Sequence, residues 1–197
     1  MIAVIDYGAG NLRSVANALD AAVVTYALAA TPESLANASQ IILPGVGHFG
    51  QMMRALDDLN LRGILIDKIE AGVPFLGICL GMQALFEGSD EAPEVKGLGI
   101  FPGRSARFPN SVRVPHMGWN QVSRQQSSKL MAMFQEDPWF YFAHSFYVPQ
   151  NDATAAVCEY ALPYSAAIER ENIFGVQFHP EKSADSGQLL LKGFLAR

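Results

Sequence analysis

The chain has 197 residues, half of them hydrophobic and only 17% charged, against a usual charged share of about 25%. A chain of this length hides roughly 70% of its unfolded surface, so disorder is excluded and neither disulfides nor a metal are needed for folding. The net charge of −5 leaves no electrostatic footprint for nucleic acid or an anionic membrane.

Short β-branched runs alternate with helical patterns through the first half, the signature of βαβ units around a parallel sheet. Ile2 to Ile5 reads as a strand that ends at the turn Asp6-Tyr7-Gly8-Ala9-Gly10. Asn11 can then cap a helix with Leu12, Val15, Ala16 and Leu19 on its inner face. Gln40 to Leu43 is a second strand, stopped by Pro44-Gly45-Val46-Gly47, and Met52, Met53, Leu56 and Leu59 mark the next helix. Phe75 to Ile78 is a third strand and runs straight into a helical stretch from Cys79 to Phe86. Beyond Gly97 the strands are separated by Pro, Asn and Gly: Ser105 to Phe108, Trp139 to Phe142, Thr154 to Tyr160, Ala166 to Arg170 and Ile173 to Phe178. Pro115 to Asn120 reads as a glycine-containing loop, and a helix from Ser186 to Leu195 closes the chain. The pattern predicts one α/β domain over residues 1–197: a flavodoxin-like, mostly parallel open sheet with flanking helices and antiparallel strands added in the C-terminal half.

Two cysteines allow at most one disulfide, and no Cys or His spacing offers a zinc ligand set. No cofactor or metal is expected. The opening residues carry no basic n-region and no run reaches 18 apolar residues, which predicts a cytoplasmic chain with no membrane association. Gly8-Ala9-Gly10 hints at a dinucleotide loop, yet Arg13 stands where the third glycine belongs, so a tight turn explains it better.

Gly77-Ile78-Cys79-Leu80-Gly81 places a cysteine where a buried strand turns sharply into a helix, a nucleophile elbow with sulfur in place of oxygen. A helix N-terminus favours the reactive thiolate. A free Cys is by itself more often a small core residue, but the flanking glycines reverse that reading. Of four histidines, His179 follows a strongly apolar strand and precedes Pro180-Glu181. In an extended segment residues two apart share a face, which puts the Glu181 carboxylate beside the imidazole as orienter of the base. Leu80 N–H, just past the nucleophile, and Val46 N–H in the glycine-flanked loop are the two candidate oxyanion donors. Alone, Pro-Gly-x-Gly is only a turn. His48 reads as a helix-start residue, Cys158 as a strand residue of the core, and His144 as a group behind the site.

Together, Pro44-Gly45-Val46-Gly47, Gly77 to Gln83, His144-Ser145-Phe146 and Gly175 to Ser183 resemble the triad-type, class I glutamine amidotransferases, and the likeness runs from the first strand to the last helix. It implies attack by Cys79 on the side-chain amide of L-glutamine, release of ammonia, and hydrolysis of a glutamyl thioester, with His179 as base and then acid. It also implies substrate contacts at Gly47, Gln83, Ser145 and Phe146. Within the family, Ile5 to Leu12 and Pro115 to Asn120 look like the glutaminase subunits of imidazole glycerol phosphate synthases. That likeness implies a (β/α)8-barrel cyclase as heterodimer partner, with Asn11, Met117, Trp119 and Lys182 at the interface. Trp119 could otherwise be a core plug, and Lys182 a solvated lysine. Glutaminase subunits of anthranilate or pyridoxal phosphate synthases, a silent binding module of the same fold and a cysteine peptidase are the competing readings.

Overall fold

The computed structural model describes residues 1–9, 11–125 and 128–197; Gly10 of the predicted first turn lies outside them. Through the first half the order is β1 (Ile2–Ile5), α1 (Leu12–Ala21), β2 (Tyr26–Ala29), α2 (Pro32–Leu35), β3 (Gln40–Gly45), α3 (Phe49–Asp58), α4 (Leu61–Glu70), β4 (Phe75–Cys79) and α5 (Leu80–Gln83). Shorter strands follow: β5 (Phe86–Ser89), β6 (Phe101–Arg107), β7 (His116–Gln121), β8 (Ser123–Arg124), β9 (Trp139–His144) and β10 (Phe146–Tyr147). The chain ends with β11 (Thr154–Tyr160), β12 (Leu162–Arg170), β13 (Ile173–Val176), a 3-10 turn at Pro180–Lys182 and α6 (Ala184–Leu195).

The main sheet has the order β2-β1-β3-β4-β13-β12-β11-β8. Its first five strands are parallel and the last three join antiparallel, the mixed open sheet expected from the sequence. Period-two alternation divides each buried strand between two cores. Val4 and Ile42 pack with α1 and α6 through Val15, Leu19, Leu190 and Phe194. Ala3, Ile5, Ile41 and Leu43 pack on the other face with α3 and α4 through Met52, Met53, Leu56 and Leu65. Register then brings three strand ends to one edge, since Gly45 pairs with Cys79 and Ile78 with Val176. This carboxyl edge is where open α/β sheets place their ligands.

Two sequence expectations change. The helix after Cys79 stops at Gln83, because Phe86 leaves to pair with Phe101 in a second sheet and stacks on its ring at 5.4 Å. Residues 116–121 are a strand rather than a loop: β7 pairs residue for residue with β9, and Gly118 (φ +131) is accommodated inside the pairing. The strand β2 and the helices α2 and α4 are further elements that the sequence reading did not include.

Candidate active site

At Cys79 the chain turns from β4 into α5 with φ 53 and ψ −109, a conformation that costs a non-glycine residue about 1–3 kcal/mol and persists only when its surroundings enforce it. The enforcement is steric. A Cβ on Gly77 would stand 2.5 Å from the Gly81 carbonyl oxygen, and one on Gly81 would overlap the carbonyl oxygen of Leu43 in β3. Both glycines are therefore required for the start of α5 to lie against the strands. The first N–H groups of α5, Leu80 among them, have no intrahelical partner and follow directly on the sulfur.

His179 is 3% exposed and leaves the sheet just after β13. Its N–H donates to the Tyr141 carbonyl at 2.9 Å, and its own carbonyl accepts from Ser183 Oγ at 2.6 Å. Glu181 arrives beside it through the 3-10 turn begun by Pro180, not through the extended segment that the sequence suggested. Its Oε1 lies 2.8 Å from His179 Nδ1, which assigns the proton to Nδ1 and leaves Nε2 free for the sulfur. Burial alone would push this imidazole down; the Cys79 thiolate and the Glu181 carboxylate outweigh it and hold it up at about 10. Asn11 stands at the N-cap position of α1 without capping it. Its Oδ1 accepts from Ser14 Oγ at 2.8 Å, while its Nδ2 reaches Glu181 Oε1 at 3.5 Å.

Cys79 and His179 open onto a cavity of about 330 Å³. Its walls include the residues singled out as substrate contacts, Gly47, Gln83, Ser145 and Phe146, and both candidate oxyanion donors, Val46 and Leu80. Val46 N–H is engaged with the Tyr7 hydroxyl at 3.4 Å, a phenol that burial pushes up to about 12 and keeps neutral. As an oxyanion donor Val46 must first leave Tyr7. Sequence reasoning missed Glu91, which also lines the cavity and accepts from Phe49 N–H at 2.7 Å. It lies in a polar turn with no local signal, and it brings an anionic group suited to an α-ammonium.

Of the docking candidates, Met117 is 64% exposed and Trp119 50%. Trp119 is thus no core plug: β7 alternates, with His116 buried and Met117 turned outward. Trp139 on β9 adds a further exposed aromatic, and Lys182 Nζ sits 5.9 Å over the Tyr141 ring between the two strands and the triad. His48 caps α3, its Nδ1 accepting from Gly50 N–H at 3.1 Å. Cys158 is buried, and burial pushes its thiol up to about 11, inert at neutral pH. No His, Cys, Asp or Glu cluster among the described residues could hold a metal, and no helix among them is long and apolar enough to cross a membrane.

The family model described as "Glutamine amidotransferase class-I" matches residues 3–196. The chain belongs to the class-I glutamine amidotransferases. Curated relatives agree over nearly their full length. The chain is 47% identical to "Imidazole glycerol phosphate synthase subunit HisH" of Methanothermobacter thermautotrophicus, covering 99% of this chain and 98% of the relative. It is 45% identical to the protein of the same name from Thermococcus kodakarensis, covering 98% of each. Among solved structures, "Crystal structure of glutamine amidotransferase" superposes with a TM-score of 0.80 at 16% identity over 100% of this chain and 98% of that one. "Structure of PurLQS from Thermotoga maritima" follows with 0.79 at 19% over 99% and 97%. At such identities these two speak for the amidotransferase fold alone.

Proposed function

We propose that this amidotransferase hydrolyses L-glutamine to glutamate and ammonia and passes the ammonia to a cyclase subunit that forms imidazole glycerol phosphate in histidine biosynthesis. The observation that carries the chemistry is the buried His179–Glu181 pair, 2.8 Å apart, whose histidine shares one cavity with a cysteine on a strained elbow. The relatives of the same length carry the pathway.

With its proton already on His179 Nε2, the Cys79 sulfur attacks the side-chain amide carbon of glutamine. The oxygen gains charge and is stabilised by Leu80 N–H and, once released from Tyr7, by Val46 N–H; one such donor is commonly worth ~3 kcal/mol of barrier. His179 then protonates the departing nitrogen, and ammonia leaves a glutamyl thioester. Water attacks the thioester carbon as His179 takes its proton. Glutamate departs as the electron pair returns to sulfur, and the proton taken from water restores the Cys79–His179 pair. Glu181 holds the imidazole in the needed tautomer throughout. Glu91 receives the substrate's α-ammonium, while Gly47, Gln83, Ser145 and Phe146 hold the remaining polar groups through backbone and amide atoms.

The partner is a (β/α)8-barrel cyclase that docks on the face carrying Met117, Trp119, Lys182 and Asn11, with Lys182 placed to meet an acidic residue. Exposed Met and aromatic side chains on one ribbon are the composition of an interface centre. The test is glutamate release by the chain alone, with the cyclase and its nucleotide substrate, and in Cys79→Ala. Low activity alone, a large rise in the complex and none in Cys79→Ala are expected. Full turnover without a partner overturns the coupled subunit, and an active Cys79→Ala overturns the nucleophile.

A further inference from the structure

Gln177 lies between β13 and His179, is 0% exposed, and has no part in the mechanism above. Its amide is the last member of a buried string that begins at the substrate wall. The Phe146 carbonyl receives His144 Nδ1 at 2.8 Å and Gln83 Nε2 at 2.9 Å. Gln83 Nε2 also donates to Gln177 Oε1 at 3.0 Å, and Gln177 Nε2 stands 3.6 Å from Cys79 Sγ.

The polarity of this string has one solution. A carbonyl only accepts, so Gln83 must turn its NH2 toward Phe146. The second hydrogen of that NH2 is then aimed at Gln177, which must answer with its oxygen. The amide of Gln177 is thereby forced to present N–H, not C=O, to the sulfur. We infer that Gln177 is a positioning residue that holds Cys79 Sγ in place and stabilises the electron pair left on sulfur when its proton moves to His179. The donor is oriented before the reaction, so it stabilises that charge without reorganisation. Gln83 serves both ends, touching the substrate cavity on one side and fixing the Gln177 amide on the other. Glutamine seated against Gln83 and Phe146 is thus mechanically tied to the nucleophile.

This inference rests on Cys79 being the nucleophile proposed above. Its test is therefore run without glutamine: alkylation of Cys79 by iodoacetamide across pH, read by peptide mass spectrometry, in the full chain and in Gln177→Met and Gln177→Glu. Gln177→Met removes the donor at similar length and should slow alkylation at neutral pH about tenfold, the weight of one hydrogen bond to a charged group. Its rate profile should move to higher pH. Gln177→Glu places a carboxylate against sulfur and should slow it further. In the assembled synthase, Gln177→Met should lower kcat and leave the glutamine KM within about twofold. Wild-type alkylation and an unshifted profile in a folded Gln177→Met overturn the inference. Should neither variant fold, ¹⁵N spectra of the wild-type chain decide. The Gln177 side-chain amide should shift over the pH range in which Cys79 becomes reactive and stay flat in Cys79→Ala, and an amide that never shifts overturns the inference. Slowed alkylation in Gln177→Met combined with a wild type that cannot hydrolyse glutamine would sink the glutaminase reading and leave this one standing.

Discussion

The two walls of the cavity are built by different physics. On the elbow wall, β4 and α5 are buried throughout and backbone meets backbone, so the position of Cys79 is set by the absence of two methyl groups at Gly77 and Gly81. On the opposite wall, β7 and β9 form a separate two-stranded ribbon whose residues alternate between core and surface. There the geometry is set by side chains: His116 stacks between Tyr160 at 4.0 Å and Phe142 at 4.9 Å, and shares polar contacts of 3.2–3.3 Å with His144 and Tyr164. Tyr164 OH can donate to His144 Nε2 at 3.2 Å, because His144 spends its Nδ1 proton on Phe146. The Cys79 sulfur is thus held by exclusion, while the opposite wall is held by a side-chain network that runs behind the exposed Met117 and Trp119.

The largest effect should come from the turn that carries Glu181 beside the elbow wall. Glu181→Gln leaves the shape intact and removes the charge that fixes the His179 tautomer, so kcat should fall roughly 10³-fold in a glutaminase assay. The same variant tests a pH dependence. His179 is held up at about 10 against its ordinary 6.5, so its charged form contributes stability in full below pH 6.5 that is lost as pH rises toward 10. Urea midpoints should fall over that window in the wild type and fall less in Glu181→Gln. A wild type with a flat alkaline limb would contradict the buried pair.

Next come the glycines that separate the two walls most directly. Gly81→Ala forces a Cβ into backbone and should cost about 3 kcal/mol, the top of the range for overpacking. Gly118→Ala, in the ribbon, meets nothing within 4 Å and carries only the strain of φ +131, about 1 kcal/mol. Equal losses in denaturant melts would erase the contrast. Trp119→Ala is smaller still for the fold, within about 0.5 kcal/mol for an exposed site, but should weaken binding of the proposed cyclase partner by about 2 kcal/mol, which calorimetry of the complex would measure. The smallest expected effect lies on the acid side. Burial pushes His116 down to about 4 and His144 to about 3. Their neutral forms give stability that is present above pH 6.5 and lost as pH falls through 4. His116→Phe keeps the ring stack and should shift acid unfolding to lower pH; an unchanged acid midpoint would refute the assignment.

The parallel half was legible because its strands are continuous apolar runs and because glycine flanks the cysteine at the one spacing an elbow tolerates. β11 was read to the residue, although the turn that ends it is made by Ala161 at φ 62 rather than by Gly or Asn. β2 escaped because it is a short, half-exposed edge strand. The break between α3 and α4 escaped too, because it is made by Asn60 in a left-handed conformation (φ 54) rather than by Gly or Pro. Glu181 was placed correctly beside His179 through the wrong local shape, as pairing two residues apart suits either a strand or a tight turn. Gln177 and Glu91 were not legible at all. Their surroundings come from segments tens of residues away, and a sequence carries no record of which way an amide is turned.

The backbone of Cys79 has a consequence for how such a chain changes over generations. At φ 53, stability alone would favour glycine, so Cys79→Gly should fold more tightly than the wild type while doing no chemistry. If Cys79 is the nucleophile proposed above, a lineage supplied with histidine from outside would be expected to lose it long before it lost the fold.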